Sequence, residues 1–226
     1  MLFADALALL VQNTSIHGRL LTSTQHLKEE LPVVSLCVLQ RILRSQETTG
    51  AWDGLCEVTS YAVLALASFT VLPWVKQLGT RPVIAAISRG KSFLLSKRNL
   101  WSQGQYIWVE KATYASNVLS EAYCLAAASV HMPSEVEPSK AYLGAFSLED
   151  DASKGMQKAT GLISHTPLFS ECDPYTLSIA GGQAAYTLGM LHRNELNIFP
   201  RSARGEDKYM PTIPLAFMPC AALQGS

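Results

Sequence analysis

The stretch LRSQETTGAWDGLCEVTSYAVLALASF, Leu43 to Phe69, joins the end of one helix-forming segment to the start of another. Its first part places Gln46, Gly50 and Trp52 around a short turn. A glutamine at a helix end can hydrogen-bond the unsatisfied backbone groups of neighbouring helix ends, and glycine permits the chain to reverse. Tryptophan can cover such a turn with a large aromatic face. We therefore predict that these three residues form a structural clip between two helices.

Helical periodicity extends from this stretch in both directions. Apolar residues recur at helical spacing, and the proline of LPVV is placed near a helix start. Only QYIWVE offers a strand candidate, and it is short. The fold class predicted is all-α. The predicted helices are 33–43, 57–71 (ending near Pro73), 81–98, 110–130 and two segments after residue 140. The helix 110–130 has an apolar stripe formed by Ala115, Val118, Leu119, Ala122, Leu125 and Ala126.

Composition excludes several classes of protein. The chain has 226 residues, is 48% hydrophobic and has a formal net charge of zero, so we expect a sizeable core and no nucleic-acid partner. No apolar run approaches the ~18 residues of a membrane span. The opening MLFADALALL is interrupted by Asp5 and is interpreted as an amphipathic helix, not a signal peptide. Five widely spaced cysteines without a CxxC pair predict buried free thiols and a cytoplasmic location. The histidine spacing predicts no metal site.

Several segments resemble one enzyme family. The helix EVTSYAVLALASF after the clip resembles its counterpart in terpene cyclases. YIWVEKATYASNVLSEAYCLAAA is similar to the segment that closes the class II domain of fungal bifunctional diterpene cyclases, the copalyl diphosphate/kaurene synthase type. HTPLFSECDPYTLSIAGGQ and NIFPRSARGEDKYMPTIPL resemble the entry into their class I domain. The resemblance implies the later part of a class II domain, a partial α-barrel, over residues 1–131. It also implies a linker over 132–140 and the first helices of a class I domain over 141–226.

The catalytic motifs of that family do not occur in this sequence. In the family, a DxDD aspartic acid protonates geranylgeranyl diphosphate, and a DDxxD-like motif holds Mg²⁺. The nearest match, SLEDDASKG, has Leu148 in the first slot of one motif and Lys154 in the last slot of the other. Asp150 and Asp151 are interpreted as a solvated pair near a helix start. We therefore predict a truncated homologue with no catalytic residue and no cofactor of its own; Mg²⁺ is expected only for full-length relatives.

Four residues are candidates for lining a substrate pocket. Trp108 can supply an aromatic wall, and Lys111 can meet the oxygens of an isoprenoid diphosphate as a point charge. The alternative for this pair is an aromatic anchor beside a surface ion pair. Glu57 either caps its own helix or borders the cyclisation cavity, together with Tyr61 one turn further along.

Three functions stay open at this point. The first is a terpene cyclase homologue, an isomerase or lyase by resemblance, of fungal diterpene biosynthesis. The second is a non-catalytic helical partner or scaffold, because helices of an incomplete barrel leave apolar faces free for a homo- or hetero-oligomer. The third is a gene fragment without independent function, since the family pattern ends after IPL in Ala216, Phe217 and Met218.

Overall fold

The structure, a computed structural model, describes residues 1–13, 25–104, 107–109, 112–137 and 170–192. The chain divides into two compact units, one made of Met1–Arg19 and Arg41–Ser139, the other of Leu20–Gln40 and Lys140–Ser226. The predicted all-α class is confirmed, although the described helices close no barrel. The predicted domain limits stay a prediction. The elements are α1 (Leu2–Gln12), α2 (Gln25–Arg44), α3 (Cys56–Phe69), α4 (Pro73–Leu78), α5 (Arg81–Ser96), a 3-10 turn (Arg98–Leu100), β1 (Ile107–Val109), β2 (Ala112–Tyr114), α6 (Asn117–Ser129) and α7 (Pro174–His192).

Helix α3 is the centre of the first unit. It packs against α1, α5 and α6, and Val63, Leu66 and Phe69 are fully buried. The Ser68 hydroxyl of α3 donates a hydrogen bond to the Asp5 carboxylate, which ties α1 to this core. A helix enclosed on several sides must be apolar around most of its circumference, which the Ala- and Leu-rich sequence of α3 satisfies.

Helix α5 follows its sequence signals closely. Pro82 lies in its first turn, where a missing backbone N–H costs nothing because that group has no intrahelical partner. Val83, Ile87 and Leu94 are buried, as a helical stripe facing the core requires. The prediction of a helix beginning at the RPV sequence is confirmed.

The prediction of a helix beginning at residue 110 is wrong. Residues 107–109 and 112–114 form an antiparallel hairpin, in which Ile107 pairs with Tyr114. The strand candidate in QYIWVE is therefore real, and its β-branched and aromatic residues favour extended backbone. Helix α6 begins after Ser116, whose hydroxyl accepts a hydrogen bond from the Leu119 amide. A serine N-cap of this kind sets the start of the helix.

The apolar stripe predicted in this segment is exposed in the structure. Val118 is 77%, Leu119 43% and Leu125 54% accessible. Ala115, Ala122 and Ala126 are exposed as well. The buried face instead carries three small residues, Ser120, Cys124 and Ala127. Helix α6 therefore packs its small, partly polar side against the rest of the first unit and leaves its more apolar side exposed.

The second unit contains most of α2 together with α7. Pro32 lies inside α2, which begins at Gln25, so the prediction of a proline near the helix start is wrong. The Gln183 amide of α7 donates a hydrogen bond to the Cys37 sulfur of α2, at 2.8 Å. The helix predicted from residue 175 is confirmed as far as His192. The helix predicted over 141–169, with Asp150 and Asp151, lies outside the described residues.

The segment predicted as a linker has no regular secondary structure over residues 131–137. It is nevertheless attached to the start of α5. The Thr80 amide donates to the Val136 carbonyl at 2.9 Å, and the Val136 amide donates to the Thr80 hydroxyl at 2.8 Å. Arg81 and Glu135 form an exposed ion pair at 3.7 Å. No helix in the described ranges is long and apolar enough to cross a membrane.

Candidate functional site

Gln46, Gly50 and Trp52 lie together and also engage α5. The Gln46 side-chain amide donates to the Gly50 carbonyl at 3.0 Å and to the Ala86 carbonyl at 2.9 Å. Its oxygen accepts hydrogen bonds from Nε, at 3.1 Å, and from one terminal nitrogen of the Arg89 guanidinium. Because Ala86 and Arg89 belong to α5, this glutamine joins the turn to a helix that the sequence argument did not include.

Trp52 links the two helices that flank the turn. Its indole N–H donates to the Ile42 carbonyl near the end of α2, at 2.8 Å. Its backbone amide donates to the Thr59 hydroxyl in the first turns of α3, at 3.0 Å. The side chain is 4% exposed, so the aromatic ring is part of the core. These contacts connect the end of α2 to the start of α3, and the clip formed by Gln46, Gly50 and Trp52 stays a prediction.

Two glycines permit the close approach of α5 to the turn. A Cβ atom on Gly50 would lie 2.6 Å from the Arg89 carbonyl oxygen, and Gly50 has a φ of +89°. A Cβ atom on Gly90 would lie 2.6 Å from Val63 Cγ2 and 3.0 Å from Trp52 Cζ3. Any side chain at either position would push α5 away from the turn or from α3.

Glu57 is a buried acid in the first turn of α3. It is 2% exposed, and its Oε1 accepts a hydrogen bond of 2.5 Å from the Tyr61 hydroxyl. Its Oε2 is buried and has no hydrogen-bond donor among the described residues. One role predicted for Glu57 is to cap its own helix. The structure shows no side-chain capping hydrogen bond at this helix start, and the Glu57 carboxylate instead accepts a hydrogen bond from Tyr61, one turn further along. The Tyr61 ring in turn packs edge-on against Tyr123 of α6, with centroids 4.8 Å apart.

Two buried thiols lie in the same region. Burial raises the pKa of the Cys56 thiol, although the nearby Lys97 opposes that shift. Burial raises the pKa of the Cys124 thiol to about 12, and the neighbouring ionisable groups of Cys56 and Glu57 add to that shift. Both thiols are therefore protonated at neutral pH and are poor nucleophiles. The expectation of buried free thiols is confirmed for this pair but is wrong for Cys37, which is exposed.

A cavity of about 180 Å³ lies beside Glu57. Its walls come from the start of α3, the end of α5, the turn that follows α5, and α6. The lining residues are Gly54, Cys56, Glu57, Phe93, Lys97, Leu100, Gln103 and Ser120.

Of the four predicted pocket residues, Glu57 lines this cavity, whereas Tyr61 does not line it but donates a hydrogen bond to Glu57. The side chain of Trp108 and the whole of Lys111 lie outside the described residues. Sequence reasoning missed Lys97 and Ser120, which lie far from Glu57 in the chain and carry no motif. In the part of the chain that the structure describes, no cluster of three His, Cys, Asp or Glu residues could hold a metal ion.

Comparison with known proteins identifies the relatives of this chain. Pimaradiene synthase pbcA of Emericella nidulans is 33% identical over 221 residues, 97% of this chain. An ent-kaur-16-ene synthase of Fusarium fujikuroi is 28% identical over 195 residues, 83% of this chain. A copalyl diphosphate synthase of Talaromyces verruculosus is 40% identical over 92 residues, 40% of this chain. No protein-family model and no solved structure gives a significant match.

These relatives define the class, which is that of terpene cyclase-like proteins. More narrowly, the chain is a homologue of the fungal bifunctional diterpene synthases, as the sequence motifs indicated. The matched segment is a small part of each relative: the chain spans 22% of the pimaradiene synthase, 20% of the ent-kaurene synthase and 9% of the copalyl diphosphate synthase.

Proposed function

We propose that this chain serves as one part of a diterpene cyclase and does not cyclise geranylgeranyl diphosphate by itself. The observation that carries the proposal is the alignment of 97% of the chain with 22% of a pimaradiene synthase. The 226 residues contain neither a DxDD acid nor a DDxxD-like metal motif. Without a proton donor or Mg²⁺ ligands, neither protonation of an alkene nor departure of diphosphate has a catalyst here.

Within this proposal, Glu57 and Tyr61 belong to the wall of the class II part, and the isoprenoid diphosphate is the ligand of the complete assembly. The support is the position of Glu57 at a cavity in the first unit and the hydrogen bond that Tyr61 donates to it. We further propose the domain limits 1–131, 132–140 and 141–226, and a cytoplasmic location. The location is supported by the four free cysteines of the described residues.

A turnover assay tests the proposal. The purified chain is incubated with Mg²⁺ and either geranylgeranyl diphosphate, which reports the class II step, or copalyl diphosphate, which reports the class I step. Products are extracted after phosphatase treatment and analysed by gas chromatography–mass spectrometry. We expect the no-protein background for both substrates, with the Emericella nidulans pimaradiene synthase run alongside as a reference enzyme. A cyclised product above background would refute the expected inactivity.

Sequencing of the transcript across both ends of the chain tests the other half of the proposal. We expect a DxDD motif in frame upstream and an acidic metal motif in frame downstream. If the transcript instead has stop codons in frame at both ends, the chain is made separately. Its contribution to a cyclase would then have to occur by association.

A second candidate function, a non-catalytic helical partner, is favoured by the exposed apolar face of α6. The face consists of Val118, Leu119, Ala122, Leu125 and Ala126, all uncharged and all exposed. An apolar helix face of this kind in water indicates an interaction surface. We propose that its occupant is a helix of a diterpene cyclase polypeptide, because relatives carry the matching segment inside chains about five times its length.

Size-exclusion chromatography with light scattering tests this second function, using the chain alone and mixed with the pimaradiene synthase. Leu125→Asp is compared with Leu95→Asp, since both leucines are 54% exposed and only Leu125 lies on the α6 face. We expect a complex that Leu125→Asp abolishes and Leu95→Asp preserves. Self-association sensitive to Leu125→Asp would assign the face to a second copy. A monomer that ignores the cyclase would exclude the partner role.

A further inference from the structure

We propose that the cavity beside Glu57 binds a small organic ammonium ion with a short apolar body. The first observation is that Glu57 is only 2% exposed and that the described part of the chain supplies a donor to only one of its two carboxylate oxygens. The second is that, within the described ranges, no basic side chain forms an ion pair with Glu57 within 4.0 Å, although Lys97 lines the same cavity.

A buried carboxylate with no donor for one of its oxygens is stabilised by a hydrogen-bond donor that also carries a positive charge. An unsatisfied buried hydrogen-bonding group costs about 1–3 kcal/mol, and a charged group costs more. A buried charge without a partner is stabilised when an opposite charge with hydrogen-bond donors reaches it. An ammonium group provides both at once, whereas an alcohol provides the donor alone and a carboxylate provides neither.

The other walls of the cavity suit the rest of such a ligand. Phe93 and Leu100 supply apolar surface, and Ser120 and Gln103 supply hydrogen-bonding groups. Aromatic rings also attract cations through their negative faces. The volume of about 180 Å³ exceeds the roughly 150 Å³ cavity that admits benzene in an engineered protein, so an ammonium with a three- or four-atom body fits.

Lys97 limits the charge of the ligand. Its side chain also lines the cavity but is exposed, so solvent and salt screen its repulsion of a single positive charge. A ligand with two positive charges would meet twice that repulsion while a single carboxylate, Glu57, attracts it, so the site favours monoammonium ions. This inference does not depend on the proposed cyclase function, because binding is measured without turnover.

Nuclear magnetic resonance titration of the ¹⁵N-labelled full chain tests the inference. The probes are propylammonium chloride, 1-propanol and sodium propionate at equal ionic strength. We expect amide shifts at cavity residues such as Gly54 and Ser120. We expect propylammonium to bind roughly tenfold more tightly than 1-propanol, the difference between a charge-assisted and a neutral hydrogen bond. Propionate should not bind.

Glu57→Gln keeps the size of the side chain and its hydrogen bond to Tyr61 but removes the charge. It should reduce propylammonium affinity to that of 1-propanol. Glu121→Gln, which neutralises an exposed acid on α6, is the matched control and should bind like the native chain. Equal propylammonium affinity in Glu57→Gln and the native chain would overturn the proposal. So would the absence of shifts at the cavity residues.

A second pair of variants keeps the test decisive if Glu57→Gln does not fold. Gln103 and Ser102 are both exposed, and Gln103 lines the cavity. Gln103→Trp should obstruct the cavity and abolish the propylammonium shifts, whereas Ser102→Trp should leave them unchanged. Identical behaviour of these two variants would place the ligand elsewhere and refute the assignment.

Discussion

Gly50→Ala, compared with Gly54→Ala, should separate two contributions to the free energy of unfolding. One is the close approach of α5 to the turn, and the other is the left-handed backbone conformation. Gly50 has a φ of +89°, and its added Cβ would lie 2.6 Å from the backbone oxygen of Arg89. A left-handed conformation costs a residue with a Cβ about 1–2 kcal/mol. Overpacking against a rigid neighbour adds roughly 1–3 kcal/mol. We therefore expect Gly50→Ala to lower the free energy of unfolding by roughly 2–5 kcal/mol.

Gly54 supplies the control for this measurement. It also has a positive φ, +64°, but a Cβ there meets nothing within 4 Å. Gly54→Ala should therefore cost only the conformational part, about 1–2 kcal/mol. The lower entropy of the unfolded alanine chain affects both variants equally and cancels in the difference. Urea unfolding followed by circular dichroism and tryptophan fluorescence gives the comparison. Equal destabilisation of the two variants would show that α5 does not pack tightly on the turn, and would contradict a clip at Gln46, Gly50 and Trp52.

Four further substitutions test other features of the first unit. Gln46→Leu removes the donors and the acceptor that bind two carbonyls and Arg89, so we expect a loss of about 1–3 kcal/mol in urea unfolding. Arg89→Ala combined with it should add little, because both remove the same contact. Burial raises the pKa of Cys124 from 9.0 to about 12. The unfolded chain therefore loses the thiol proton first, and the free energy of unfolding falls as pH rises between about 9 and 12. Cys124→Ala should make that fall shallower in urea titrations across this range. Thr80→Val removes the acceptor of the Val136 amide, 2.8 Å away. It should accelerate hydrogen exchange at Val136 while amides inside α5 stay unchanged.

Local chemistry made some of the fold predictable. Pro82 correctly indicated the start of α5, because a fixed φ and a missing N–H suit a first helical turn. The same rule failed for Pro32, which lies inside α2. The neighbouring positions of Gln46, Gly50 and Trp52 follow from a turn of few residues. The spacing of Glu57 and Tyr61 places both side chains on one face of a helix, so their hydrogen bond could also be anticipated.

The orientation of α6 could not be predicted in this way. Its wholly uncharged side, with Val118 and Leu125, is the more apolar, and periodicity assigns that side to the core. The structure buries Ser120 and Cys124 instead, because small side chains there let α6 pack closely against α3 around Glu57. That preference depends on a partner remote in sequence. The cavity could not be predicted for the same reason, because Lys97 and Ser120 meet Glu57 only through tertiary packing.

The hydrogen bonds of Gln46 restrict what evolution can place at that position. A glutamine amide has two N–H donors and two acceptor lone pairs, and all of them are occupied here, by two carbonyls and by two nitrogens of Arg89. Glutamate would lose both donors, lysine would lose the acceptor, and asparagine would be one methylene too short. Positions 46 and 89 should therefore vary together among homologues. The first polar residue of the turn and an arginine on α5 would then be inherited as one unit, although 42 residues separate them in the sequence.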